Sequence, residues 1–409
     1  MKIGILVESF PRVSETWLAN QIIDLIERGN EVDIYSIYPS KDQIVHQQVK
    51  ANKLIEKTQY FFYPKGNTKY RFWLTLKFVF TNLNKANPKR TIKGLKSILS
   101  RKIETLFGFN YIFLNGIQDL DILHAHFGEI GVFAAKMKRA GLIPKAKIVV
   151  SFHGHDIFPF KKETYQKEYQ IFKDFSNALL VNSPYSKKLL KAIIPFQKIK
   201  LIPVGLDCSY FSSFNKNYRE GISILFVGRL VFWKGPQLAL EIFKSLSILR
   251  PDIQLNMIGD GDLKMKLLDE INKNNMGNQV RLLGALSQDE IIRYMDSSDI
   301  FLYPAKYETS SGAVDTQGLV IQEAQAMELP VICSDVGGIK YGMVDGETGF
   351  LVKEGDIDGF LEKIQLLIDQ SDLREKMGKA GRAFVKKYFD SKVIGDQLES
   401  VYAEVLNEG

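Results

Sequence analysis

The sequence predicts two α/β domains, each a doubly wound parallel sheet, facing each other across a cleft. Three observations carry that prediction. Apolar, β-branched runs alternate with helical periods along all 409 residues, the pattern of βα units whose parallel strands are buried on both faces. The stretch Gly205 to Gly221, GLDCSYFSSFNKNYREG, is polar and aperiodic and splits the alternation into halves, as an interdomain linker does. The length suits two such cores, and no run of about 18 apolar residues is present to span a membrane.

The first domain is expected over 1–205, with strands at Ile3–Val7, Val32–Tyr38, Ile122–His126, Ile148–Phe152, Ala178–Asn182 and Ile199–Val204. The opening MKIGILVESF meets Glu8 too soon for a signal peptide and reads as the first strand. The second domain is expected over 206–388, with strands at Ile222–Val227, Gln254–Gly259, Val280–Leu283, Ile300–Tyr303 and Val331–Ser334. Residues 389–409 end the chain as an apolar-periodic helix. Cysteine appears only at 208 and 333, which fits a reducing compartment rather than a disulfide framework and places the protein in the cytoplasm.

The net charge of +7 is unevenly spread. From Lys65 to Lys102 there is no Asp or Glu, while lysines and arginines interleave with Tyr70, Phe72, Trp73, Phe78 and Phe80. A basic, aromatic amphipathic segment reads as a surface for anionic lipid, so the protein is expected at the inner face of the cell membrane. A solvated helical face over a buried aromatic stripe is the plainer reading; nucleic acid is not expected as a partner.

In open α/β sheets ligands bind beyond the carboxyl ends of the strands, and between two such domains the cleft is the default site. Four stretches end strands there. After the first strand, Ser14 and Thr16 are placed to cap the helix from Trp17 or to touch a ligand. SFHGHD puts His153 at a strand end, with His155 in the same register and His124 and His126 one strand earlier; the spacing allows a metal pair, but neither a cysteine cluster nor a HExxH pairing supports one. VGRLVFWKGP brackets a turn with Arg229 and Lys234 ahead of a helix beginning near Pro236, a site for a pyrophosphate. Finally, in SSGAVDTQGLVIQEAQAMELPVICSDVGG, Gly318 opens a helix from Leu319 to Glu328, leaving Asp315 in the loop and Glu323 a turn and a half into the helix. Helix capping by Asp315 and a solvated Glu323 are the plainer roles.

Together FPRVSETW, HAHF, SFHGHDI, VNSPYSKK, GRLVFWKG, IGDGDL and DTQGLVIQEAQA, in this order, resemble the GT-B glycosyltransferases, specifically the retaining family 4 of polysaccharide, glycolipid and lipopolysaccharide synthesis. The resemblance covers essentially the whole chain. It implies the GT-B fold, two Rossmann-like domains with the C-terminal helix crossing back to the first. It implies transfer from a nucleotide-diphospho sugar donor to a glycan or lipid-linked acceptor, with no cofactor and no metal. By the same resemblance Arg229 and Lys234 hold the diphosphate, the amides of Gly318, Leu319 and Val320 meet the phosphates, Leu286 belongs to the base pocket, and Glu323 binds the ribose. His153 is implied beside the reacting end of the sugar. Asp315 stands where the family usually has Glu near the donor sugar, and Ser14 to Thr16 replace a glycine-rich loop. A nucleotide-sugar epimerase and a catalytically silent binding subunit are the competing readings.

Overall fold

The structure is a computed structural model that describes residues 1–12, 15–40, 47–62, 67–100, 105–212 and 221–408. Seven parallel strands form one sheet: β1 (Lys2–Phe10), β2 (Glu31–Pro39), β3 (Thr58–Tyr60), β4 (Ile122–His126), β5 (Lys147–Phe152), β6 (Ala178–Val181) and β7 (Ile199–Leu201), in the spatial order 3-2-1-4-5-6-7. Six form the other: β8 (Ile222–Val227), β9 (Ile253–Ile258), β10 (Val280–Gly284), β11 (Ile300–Tyr303), β12 (Val331–Ser334) and β13 (Gly349–Val352), in the order 10-9-8-11-12-13. The two orders repeat one winding. In each, the direction of winding reverses between two adjacent strands, β1 and β4 in the first sheet and β8 and β11 in the second, and a crevice opens beyond their carboxyl ends.

Strands β3 and β13 were not expected. The first is three residues with a polar centre, and the second is four residues that begin with Gly349, so neither carries enough β-branched run to be seen. Conversely β7 stops at Leu201, short of the expected Val204, because Pro203 can neither donate to the ladder nor tolerate a helical or regular neighbour. The helix Leu319–Ala326 also ends earlier than expected, since Glu328 takes a positive φ of 57° on the way to Pro330. Of the expected linker, residues 213–220 lie outside the described residues.

The C-terminal helix Ser391–Asn407 crosses to the first sheet, where Leu398, Val401, Tyr402 and Val405 join the core built by β1, β2 and the first helix, Thr16–Glu27. Arg28 rivets the crossing: it donates to Asp24 at 2.7 Å, Asp396 at 2.6 Å and the carbonyl of Lys392 at 2.7 Å. Where the chain passes between sheets, Leu206 pairs with the returning strand, donating to Phe389 O at 3.0 Å and accepting from Ser391 N at 2.8 Å. Both passes therefore share one backbone seam.

Candidate active site

The second sheet supplies its half of the site at its switch point. After β8 the chain turns through residues 228–235 and lies across the segment leaving β11: Lys306 N donates to Trp233 O at 2.9 Å, and a Cβ at Gly235 would fall 1.8 Å from Pro304 O. Only glycine, here at φ 73°, permits that approach. The turn delivers Lys234 to Asp315, Nζ to Oδ1 at 2.5 Å. The other oxygen, Oδ2, accepts from the hydroxyl of Tyr303 at 2.5 Å, and the Lys234 ammonium sits 5.6 Å over the Tyr303 ring. Burial and the neighbouring Asp315 push the Tyr303 phenol well above its ordinary pKa, so it is a donor throughout the physiological range. Arg229 is exposed at the mouth, its guanidinium 5.3 Å over Trp233.

Asp315 therefore caps no helix. The cap position belongs to Gly318, left-handed at φ 75°, and the helix Leu319–Ala326 starts with the half-buried Leu319 and Val320, whose first-turn N–H groups have no partner within the helix. Glycines 337 and 338 hold this loop: Gly338 N donates to Asp315 O at 2.8 Å, and a Cβ at Gly338 would lie 1.8 Å from Thr316 O. Neither glycine was expected in a role; two adjacent glycines shortly after a buried strand are the sequence signal for this close approach. Glu323 lies on the same helix, half-buried, and burial alone pushes its carboxyl up to about 7. Leu286 sits in the loop after β10, packed on the second core.

In the first domain, β5 ends at Phe152 and His153 follows it into the cleft. Its turn is held by Asp156, a fully buried carboxylate that accepts from the backbone N–H of His153 at 3.1 Å, Gly154 at 2.9 Å and Gly128 at 2.9 Å. Asp156, at the end of SFHGHD, was not expected in a role; it fixes the loop that aims His153. The imidazole of His153 meets His126, Nε2 to Nδ1 at 3.1 Å, and packs against Trp17 at a 37° tilt with ring centres 4.5 Å apart. His126 stacks in turn on His124 at 4.4 Å, and His124 bonds Tyr402 and Ser151, each at 2.7 Å. Burial lowers the pKa of all three histidines, so this ladder is neutral. His153 Nδ1 is buried with no partner among the described residues.

His153 and His155 both lie against Phe127, each with ring centres 4.8 Å away. The left-handed Gly154 turns the chain, and His155 comes out exposed beside Phe127. Thr16 is the first helical residue rather than a cap; Glu15 holds the cap position without a side-chain cap bond, and Ser14 lies outside the described residues. Among the described residues no group of three or more His, Cys, Asp or Glu is placed to hold a metal ion. Asp260-Gly261-Asp262 spells an Asp-x-Asp, a pattern that can hold a metal, but Asp260 accepts from Lys264 Nζ at 2.9 Å and from Gly261 N at 2.8 Å.

The two halves meet through Thr316 and Gln317, which sequence reasoning passed over. Thr316 Oγ1 donates to His153 O at 3.1 Å and accepts from Asn182 Nδ2 at 3.0 Å, while the Gln317 amide pairs both ways with the backbone of Val204, each bond 2.9 Å. Asp315 is thus one residue from a residue bonded to His153. Brought together are His153, Lys234, Asp315, Gly318 and, along its helix, Glu323, with Arg229 at the rim.

Two facing doubly wound domains, with a cation and a helix N-terminus on one lip and a buried imidazole on the other, define a two-domain α/β transferase. Family models divide the chain without a gap: Glycosyltransferase Family 4 matches residues 14–210 and Glycosyl transferases group 1 matches residues 211–384. The chain belongs to these glycosyltransferases and has their GT-B fold. It is 27% identical over 409 residues to the amylovoran biosynthesis glycosyltransferase AmsK of Erwinia amylovora, covering 98% of this chain and 99% of that one. It is 26% identical over 416 residues to the putative colanic acid biosynthesis glycosyltransferase WcaL of Escherichia coli K12, with the same coverage. Anabaena Alr3699/HepE, solved in complex with UDP and glucose, superposes with a TM-score of 0.71 at 16% identity over 98% of this chain and 99% of that one.

Proposed function

We propose that the protein is a retaining, metal-independent glycosyltransferase that moves a sugar from a nucleotide-diphospho donor to a glycan or lipid-linked acceptor during cell-surface polysaccharide assembly. The observation that carries the reading is the meeting of Lys234, Asp315 and the Gly318 helix opening at one switch point, directly across from His153. The names of AmsK and WcaL support the polysaccharide context, and the UDP bound to HepE supports a nucleotide donor.

The chemistry follows from charge. Breaking the sugar–phosphate bond builds positive character on the sugar and negative charge on the diphosphate. Lys234, Arg229 and the first-turn amides of Gly318, Leu319 and Val320 stabilise that negative charge in place of a metal ion. Because Lys234 and Tyr303 occupy both oxygens of Asp315, its role is to orient the ammonium; a glutamate would reach further toward the sugar. The acceptor hydroxyl attacks the face the diphosphate leaves, its proton passes to the departing phosphate oxygen, and His153 turns its unpaired Nδ1 toward the reacting sugar. Leu286 lines the base pocket, and Thr16 flanks the cleft entrance.

Glu323 accepts from the ribose hydroxyls as a carboxylate. Its carboxyl is raised from an ordinary 4.5 to about 7, so the protonated form is favoured in the fold, and the ligand-free protein loses that contribution as pH rises from 4.5 through 7. Nucleotide binding, which needs the charge, strengthens over the same window. Glu323→Gln is expected to raise Tm relative to wild type at pH 8 while weakening nucleotide binding about tenfold or more. Melting and titration at pH 6 and pH 8 check both signs; equal pH dependence in the variant contradicts the assignment.

A panel of nucleotide sugars, each offered with and without glycan acceptors, tests the reaction itself. Transfer that requires acceptor is expected. Sugar isomerisation without acceptor establishes the epimerase reading instead, and nucleotide-sugar binding with no turnover of any member of the panel by the wild type establishes a silent subunit.

A further inference from the structure

Between β3 and β4 the first domain carries two helices, Thr68–Asn82 and Pro88–Leu99, that turn their apolar side chains outward. On the first, Trp73, Leu76 and Phe80, continued by Leu83, recur at helical spacing and form one stripe; Phe80 is 71% exposed and Trp73 59%. The opposite face anchors it, with Phe78 stacked on Phe62 at 4.2 Å. The second helix is inverted. Arg90, Gly94 and Ser97 are buried, while Ile92, Leu95 and Leu99 face outward, Leu99 being 83% exposed. Gly94 makes the inversion possible, since a Cβ there would lie 2.9 Å from Gly108 O.

A soluble helix buries its apolar stripe, and a contiguous exposed one marks a contact surface. The charge around it selects the partner. Lys69 and Lys77 flank the first stripe, Lys93 and Lys96 the second, and no acid occurs between Lys65 and Lys102. A second copy would set cation against cation. An anionic bilayer supplies both the apolar interior and the negative surface. We propose that this pair of helices inserts Trp73, Phe80, Leu83 and Leu99 beneath the headgroups of an anionic membrane, with the lysines on lipid phosphates. Insertion goes beyond the lysine-driven contact expected from sequence, and it rests on the lipid-linked acceptor reading only for its purpose. The segment leaves β3 at its carboxyl end, the edge of the sheet that also carries His126 and His153.

Co-sedimentation of the full chain with phosphatidylcholine vesicles, with and without phosphatidylglycerol, tests this at low and high salt. Wild type is expected on the anionic vesicles, with Trp73 fluorescence quenched by brominated acyl chains and Trp73→Phe as the blank. The triple variant Phe80→Gln, Leu83→Gln, Leu99→Gln is expected to bind at least about tenfold more weakly at both salts. Replacing Lys77, Lys93 and Lys96 by Gln costs about fivefold per lysine at low salt. Unchanged binding by the apolar triple variant overturns insertion. So does a dimeric wild type that the triple variant renders monomeric, with no vesicle binding by either. Thermal shift with a nucleoside diphosphate, run on each variant, reports folding and the nucleotide reading separately.

Discussion

Lys234→Ala is expected to cut transfer by about 10²- to 10³-fold, the cost of losing one fixed charge at a developing anion. The loss is expected to fall on diphosphate recognition: a nucleoside diphosphate binds much more weakly, while the bare nucleoside, assigned in the proposed mode to Glu323 and the Leu286 loop, is little affected. Removing the ammonium also strands Asp315 beside Tyr303, a half-hidden carboxylate that has lost its counter-charge. The double variant Lys234→Ala, Asp315→Asn restores that stability and leaves activity as low, which separates fold from chemistry. Asp315→Asn alone frees Lys234 to wander and is expected to raise the Kd for diphosphate without touching the fold. Titration of nucleoside and nucleoside diphosphate against the four proteins measures the split.

His153→Ala is expected to lower kcat by about 10²-fold with little change in donor affinity, as for a group engaged mainly in the transition state. The ladder behind it makes a second variant informative. His126→Phe keeps the stack on Trp17 and His124 but removes the bond to His153 Nε2, so kcat falls less steeply and the fold persists. Rates and donor affinities measured on the same preparations decide this; a His153→Ala enzyme with normal kcat removes the imidazole from the reaction.

Most of the fold was legible because parallel strands buried on both faces write themselves as apolar runs, and Ile3–Val7 or Ile300–Tyr303 need no context to be recognised. Two edge strands were not: β3 and β13, short and polar-centred or glycine-containing, carry too little apolar run, whereas the edge strands β7 and β10 keep enough of one to be read. In the candidate site, Arg229, Lys234 and His153 could be nominated from residue type just beyond strand ends, and Glu323 from its place in the helix that Gly318 opens. What could not be read was pairing. That Lys234 spends its charge on Asp315, that Tyr303 completes the bond, and that Thr316 and Gln317 knit the domains are long-range facts spanning 12 to 163 residues of sequence separation. The inverted helix Pro88–Leu99 shows the opposite failure. Its periodicity was plain, but which face is buried depended on Gly94 meeting Gly108 across a helix contact that the pattern does not encode.

The central claim is that this cleft binds a nucleotide diphosphate through Lys234. A thermal-shift panel of UDP, GDP, ADP and CMP with their sugars, on wild type and Lys234→Ala, tests it most directly, because a ligand that binds only the native state raises its melting temperature. The account predicts that one nucleoside diphosphate and its sugar raise Tm of the wild type and fail to do so in Lys234→Ala. A wild type indifferent to every member of the panel, or a Lys234→Ala variant that shifts as far as wild type, contradicts it.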